Sequence, residues 1–273
     1  MNNKKNRALP NNAQSSRPIS NGAGKKDTSW EKVASWYDEH LEGGDTYQAK
    51  VILPNLMRML DLKKETRVLD LACGQGFFTR EIAKHTAHVI GSDLSPSLIR
   101  LAKEQSDPKL QFTVADAASL TFAKDASFDV VVCVLALQNI EKLQETLREV
   151  RRVLTKTGRF IFVLNHPAFR IPKKSAWGFD SDAGIQYRRL DAYLSQSKEQ
   201  IDMTPGQRQK EYTVSFHRSL QDYVKALKSA GFAVISLEEW ISHKKSGAGP
   251  RMKAEDRSRK EFPLFLALEG VVR

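Results

Sequence analysis

The stretch Val68-Leu69-Asp70-Leu71-Ala72-Cys73-Gly74-Gln75-Gly76 decides how this chain is read. It begins as a short apolar run and passes directly into a turn that carries two glycines. A segment of helical character, Phe77 to Lys84, follows at once. A second apolar run, Val89-Ile90-Gly91-Ser92, ends at Asp93. A strand, a glycine turn, a helix and an acid closing the next strand together predict a nucleotide or nucleoside site. Glycine lets backbone approach a ligand where a Cβ would collide. The acid would accept hydrogen bonds from two adjacent ribose hydroxyls.

The details of the turn discriminate between ligands. A dinucleotide fingerprint, G-x-G-x-x-G, requires a third small residue, and the position holds Thr79. Asp70 would also repel a diphosphate, whereas it would favour a cationic ligand. S-adenosylmethionine carries a sulfonium and an ammonium and no phosphate. The pattern D-x-x-x-G-x-G over Asp70 to Gly76, followed by Asp93, resembles motif I and the acidic loop of class I S-adenosylmethionine-dependent methyltransferases. A dehydrogenase of the Rossmann type and an incidental strand-turn-helix are the competing readings.

The resemblance continues in order along the chain. Phe112-Thr113-Val114-Ala115-Asp116-Ala117 is similar to the family's third strand, whose terminal acid meets the adenine amino group while the next backbone N–H, here that of Ala117, faces a ring nitrogen. Phe128 to Val134 is a continuous β-branched run, as expected for a strand buried on both faces of a parallel sheet. Ile140 to Leu154 reads as a helix and Gly158 to Leu164 as the fifth strand. His217-Arg218-Ser219-Leu220-Gln221-Asp222-Tyr223, with Gly231-Phe232 beyond it, is similar to the Y-H-R-x-L-x-x-Y…A-G-F pattern of the small-molecule branch (methyltransferase type 11/25-like) that contains the ubiquinone and menaquinone methyltransferases. The resemblance implies an α/β, three-layer Rossmann-like sheet of order 3-2-1-4-5-7-6 with strand 7 antiparallel. It also implies cofactor contacts from Asp70, Ala72, Gly74, Gly76, Asp93, Leu94, Asp116, Ala117 and Val134. An aromatic on an N-terminal helix, Tyr37 of the Trp36-Tyr37 pair, is expected to close over the cofactor. Asp45 to Leu60 is expected to follow as a second helix, Ser95 to Gln105 as a capped one, and Phe232 to Trp240 and Phe262 to Val272 as the last two strands. Ser242 to Lys260 reads as a polar, basic loop.

Residues 166–217 exceed any simple connection and read as a substrate lid inserted after the fifth strand. The segment is dense in aromatics and arginines, and ligands of open α/β sheets bind at the carboxyl ends of strands. Arg170, Arg188 and Arg189 are candidates for gripping an acceptor's carboxylate or phosphate, and Trp177 and Tyr187 for an apolar wall. His166 and His217 flank the insertion and are the candidate general bases, unless each is a histidine bonded to backbone at a strand end. No His/Cys/Asp cluster has metal-ligand spacing.

Length and composition bound the remaining choices. The 273 residues suit one large α/β domain over 27–273, and 41% hydrophobic content supports a packed core. No apolar stretch approaches a membrane span, and Cys73 and Cys133 offer no disulfide framework, which suits a reducing cytoplasm. The formal net charge is +11, and 6 of those charges come from the acid-free tail 1–26, whose Asn, Ser, Pro and Gly content predicts disorder. That distribution weakens a nucleic-acid reading. The segment after the fourth strand, Val134-Leu135-Ala136-Leu137-Gln138-Asn139, lacks the (D/N)-P-P-(Y/F) of amino-methylating enzymes, and no cysteine stands where RNA cytosine-C5 enzymes place one. The expectation is a methyltransferase acting on a small organic acceptor. The alternatives are an RNA or protein methyltransferase docking through basic segments, and a non-catalytic S-adenosylmethionine-binding module.

Overall fold

The computed structural model describes residues 44–204 and 210–273. Tyr37, the helix expected around it and the tail 1–26 lie outside the described residues. A helical segment, Gln48–Ile52 continuing as α1 (Leu53–Leu60), leads into β1 (Arg67–Leu71). Then come α2 (Phe77–Ile82), β2 (His88–Asp93), α3 (Pro96–Glu104), β3 (Gln111–Val114) and β4 (Phe128–Val134). α4 (Leu143–Val153) runs straight into β5 (Leu154–Asn165). Two hairpins follow, β6 (Ser175–Asp180) with β7 (Ile185–Leu190), and β8 (Ser197–Asp202) with β9 (Tyr212–His217). α5 (Leu220–Ser229), β10 (Phe232–Trp240), α6 (Met252–Glu261) and β11 (Phe265–Val272) complete the chain.

The sheet has seven strands in the order β10-β11-β5-β4-β1-β2-β3. β11 runs antiparallel to both β5 and β10, while β5, β4, β1, β2 and β3 are parallel. This is the expected 3-2-1-4-5-7-6 order, with the inserted hairpins occupying the numbers between. Alternation along each central strand feeds two cores. Leu69, Val131, Cys133, Phe160 and Phe162 face α4 and α5. Val68, Val130, Val132, Ile161 and Val163 face α1 and α2. Both sets are almost wholly buried, and each such aliphatic or aromatic side chain contributes roughly 1.5–3 kcal/mol. That two-sided burial is why β4 reads as an unbroken apolar run.

Register brings the functional ends of the strands together. Asp70 on β1 pairs with Gly91 on β2 and with Val132 on β4, and Asp93 at the end of β2 pairs with Val114 at the end of β3. The helices begin where local chemistry starts them. The Ser95 hydroxyl accepts the Leu98 N–H at 3.2 Å with Pro96 in the first turn, and Ser219 and Asp222 close a reciprocal capping box. The segment read as a polar loop, 242–260, contains α6. MKAEDRSRKE has no apolar stripe, and only Ser258 is buried, so the helix carries no periodic signal.

Candidate active site

The turn after β1 is wound in the left-handed region. Ala72 has φ +57°, Gly74 +58° and Gly76 +83°. Gly74 is open on its Cβ side, and its N–H donates to Asp93 Oδ2 at 3.0 Å. The Ser95 N–H donates to Asp93 Oδ1 at 2.9 Å, so two backbone donors fix this carboxylate at the end of β2. Gly76 differs from its expected role. A Cβ there would stand 2.8 Å from the Phe112 ring, so this glycine lets α2 pack on β3 and does not face the ligand space.

The strand ends enclose a cavity of about 590 Å³. Asp70, Ala72, Gly74 and Asp93 line it, as do Leu94, Asp116, Ala117 and Val134. Three carboxylates, from β1, β2 and the turn after β3, thus reach one side of a single space. The Asp116 carboxylate accepts the Ala118 N–H at 3.0 Å, which holds it in a tight turn. Leu135, φ +54°, follows β4 and also lines the cavity. Non-glycine residues in this conformation store strain that the surrounding structure must hold. Ala72 and Leu135 place it at adjacent strand ends.

Asp70 is buried at the cavity floor, 1% exposed. Burial pushes its carboxyl up from 3.8 to about 7; the Thr79 hydrogen bond opposes this and the Asp93 charge adds to it. The Thr79 hydroxyl donates to Asp70 Oδ2 at 2.5 Å. Thr79 is therefore the residue that holds the acid, beyond merely excluding a dinucleotide motif. Nothing in its position in the sequence announced that partnership.

The described residues show a fit to S-adenosylmethionine on their own terms. An acid fixed by two N–H donors, an open left-handed Gly74 beside it and a buried acid sensitive to a nearby cation are what a charged nucleoside requires. Among the described residues no group of three or more His, Cys, Asp or Glu could hold a metal ion. None of their helices is long and apolar enough to cross a membrane.

Comparison with known proteins agrees with this geometry. Residues 69–162 match the family described as a methyltransferase domain. An S-adenosylmethionine-dependent methyltransferase structure from Mesorhizobium loti superposes with a TM-score of 0.64 at 27% identity, covering 80% of this chain and 96% of that one. Residues 69–162 of this chain thus carry a methyltransferase domain, on a Rossmann-like sheet shared with that S-adenosylmethionine-dependent methyltransferase structure. The demethylmenaquinone methyltransferase of Deinococcus radiodurans is 36% identical over 102 residues, 36% of this chain and 42% of its own length. An uncharacterised methyltransferase of Schizosaccharomyces pombe is 31% identical over 192 residues, 67% of this chain and 65% of its own. The chain covers less than two thirds of the length of these curated relatives.

The insertion lies beyond the matched segment of the methyltransferase domain, and its two hairpins divide the work differently from expectation. The second one walls the cavity, through Lys198, Val214 and Phe216. On β9 the polar Thr213, Ser215 and His217 are buried, while Val214 and Phe216 are half-buried toward the cavity. The first hairpin does not reach it. Trp177 packs edge-on against Phe262 with Arg188 over its other ring face at 5.0 Å, and Arg188 donates to the Phe169 carbonyl and the Ser175 hydroxyl. Arg170 donates to Asn165 Oδ1 at 2.6 Å, and Arg189 pairs with Asp191 at 3.1 Å. Tyr187 covers Gly178 across the hairpin. Arg170, Trp177, Tyr187, Arg188 and Arg189 are thus all away from the cavity lining, engaged in the hairpin and its seat.

Both histidines are also kept out of the lining. His166 Nδ1 accepts the Ala168 and Phe169 N–H groups, and its Nε2 lies 2.8 Å from Glu239 Oε1. Burial lowers its pKa, against the pull of Glu239. His217 Nε2 bonds the Tyr193 carbonyl at 2.8 Å. His166 thus ties the end of β5 to β10, and His217 joins β9 to the chain before β8 within the insertion; neither ring lines the cavity.

Proposed function

We propose that this chain binds S-adenosylmethionine in the 590 Å³ cavity and transfers its methyl group to a small organic acceptor that enters against the second hairpin. The observation that carries this reading is the convergence of Asp70, Asp93 and Asp116, from β1, β2 and the turn after β3, on a cavity also walled by the apolar Val214 and Phe216 of β9. Asp93 would hold the ribose hydroxyls, Asp116 and the Ala117 N–H the adenine edge, and Gly74 with Asp70 the charged amino-acid end. Tyr37, outside the described residues, remains a proposed cover for the same ligand. Held by these residues, the cofactor would supply an electrophilic methyl group to an O, N or C of the acceptor, in exchange for a proton of that acceptor. The chain's own contribution is positioning, since holding two reactants in line supplies much of a bimolecular rate. Val214 and Phe216 exclude water from the acceptor side. The small-molecule acceptor is favoured by the size of the cavity and by a demethylmenaquinone methyltransferase among the relatives.

The test is calorimetry with S-adenosylmethionine, followed by a metabolite-extract screen with a radiolabelled methyl donor and mass analysis of the labelled product. A chain that ignores the sulfonium compound and binds NAD or FAD instead would overturn the proposal. Labelled RNA or protein with an unlabelled metabolite fraction would favour the polymer-directed alternative, and tight binding without any labelled product the non-catalytic one.

A further inference from the structure

The cavity is electrostatically two-sided, and its acceptor half carries cations in excess. Two of them stand over the ring of Phe216, in the cavity wall. Lys198 Nζ stands 5.3 Å from the ring centroid and Arg218 Cζ stands 5.3 Å from it as well. Arg218 is 8% exposed, and its Nη2 donates to the carbonyls of Ile140 and Glu141, both in the cavity wall, at 2.9 Å each. It forms no ion pair among the described residues, and its buried Nη1 finds no acceptor there. The groups around it do not neutralise it. Burial pushes the Tyr223 phenol up to about 12, so that partner is uncharged, and Asp222 is turned to the Ser219 cap. A buried cation held only by neutral groups is costly unless an anion comes near.

One further cation, Lys142, stands at the rim beside Lys198. Lys142 precedes α4, at the helix end whose dipole favours anions. Lys198 pairs with Glu141 at 3.1 Å, with 59% and 67% of the two side chains exposed. An exposed pair of this kind contributes little and is readily exchanged for a better anion. Among the described residues lining this half Glu141 is the only acid, with Lys198 and Lys142 beside it and Arg218 behind the wall.

Resting on the proposed methyltransferase reading, we infer that the acceptor is a small aromatic molecule bearing an anionic group, whose ring lies against Phe216 and Val214 and whose anion replaces Glu141 on Lys198. The unmatched charge of Arg218 behind the wall and Lys142 at the rim raise the local potential that draws it in. Lys198 is then a specificity-determining residue, and Arg218 a positioning residue that fixes the Ile140–Glu141 backbone to the hairpin.

The experiment uses the full chain saturated with S-adenosylhomocysteine and titrates it with mono- and dihydroxybenzoates and with the corresponding primary amides. The acids are expected to bind about tenfold or more tightly than the amides, as charge-assisted contacts exceed neutral ones. Lys198→Met, an exposed position that leaves the fold intact, should bring the two classes within about twofold, and Glu141→Gln should strengthen the acids about threefold. Equal binding of acids and amides, no binding of either class at millimolar concentration, or a preference that survives in Lys198→Met overturns the inference. Separate titration of S-adenosylhomocysteine distinguishes the two levels. Its failure to bind removes both readings, whereas its binding without an acid preference removes only this one.

Discussion

The two halves of the cavity are made in different ways. The half on β1, β2 and β3 is assembled from strand ends, where short contiguous segments place Asp70, Gly74, Asp93 and Asp116 through sheet register and the turns that follow it. The other half joins the turn after β4 to a hairpin inserted far along the chain, and its wall depends on Arg218 reaching back to Ile140 and Glu141. The first half is thus specified locally and rigidly. The second is specified by tertiary contacts on a peripheral hairpin. A fixed half suits an invariant ligand, and a half built on an appendage can vary with the acceptor while the sheet stays unchanged.

The sharpest way to break this division is at Asp93. Asp93→Ala removes a charged acceptor and frees the Gly74 and Ser95 N–H groups that it receives. Affinity for S-adenosylmethionine should fall by roughly 2–3 kcal/mol, on the order of a hundredfold, measured by calorimetry. Wild-type affinity in that variant would reject the placement of the ribose.

Asp70 tests the same half through pH. Its folded-state pKa of about 7 lies above the ordinary 3.8, so the folded chain keeps a proton that the unfolded chain loses. Stability should therefore fall as pH rises from about 4 to about 7, by on the order of 4 kcal/mol at most. A bound cation favours the ionised acid, so cofactor affinity should rise over the upper part of that window. Asp70→Asn keeps an oxygen for Thr79 to bond. It should raise the melting temperature at pH 8, corresponding to about 1–3 kcal/mol, flatten the pH dependence of stability, and weaken the cofactor about tenfold. A variant that gains no stability at pH 8, or that binds the cofactor as wild type does, would show that this acid is not the site's charge-sensitive element.

The contrast between the halves also explains what the linear chain discloses. Asp70 to Gly76, Asp93 and Asp116 lie in contiguous strand-turn segments, so residue type and order suffice to read them, and the β-branched run of β4 announces the centre of the sheet. In the sequence Thr79 reads only as the residue that breaks a dinucleotide pattern, because its bond to Asp70 depends on how α2 turns back. Val214 and Phe216 alternate with Thr213, Ser215 and His217, and that pattern assigns the apolar residues to a core. The fold instead buries the polar ones and gives the apolar ones to the cavity. His166 could not be separated from a base by sequence, since its partner Glu239 lies on β10, across the chain. The aromatic and arginine density of 166–217 was a true sign of an insertion, but composition does not say which hairpin faces inward.

On the acceptor side, Phe216→Ala should raise the KM for the acceptor about tenfold, roughly 1–2 kcal/mol for an aromatic ring removed from a partly buried wall. The Kd for S-adenosylmethionine should stay within about twofold, because the residues proposed to hold it lie on β1, β2 and the turn after β3. A parallel loss of cofactor affinity would mean that the two halves are not separable, and the contrast between them would fail.

The smallest effect is expected from the other hairpin. Trp177 carries as much aromatic surface as any residue of the insertion and is 44% exposed, yet it packs on Phe262 and Arg188 and stays out of the cavity. Trp177→Ala should lower stability by about 1 kcal/mol, since a half-exposed ring contributes less than a core one, and should change neither cofactor nor acceptor binding by more than about 0.5 kcal/mol. Steady-state kinetics beside thermal melts measure both. A large rise in acceptor KM with an unchanged melting curve would place β6 and β7 over the acceptor after all, and the second hairpin would lose its exclusive claim to that wall. The expected result leaves β8 and β9 as the part of the insertion through which the acceptor is read.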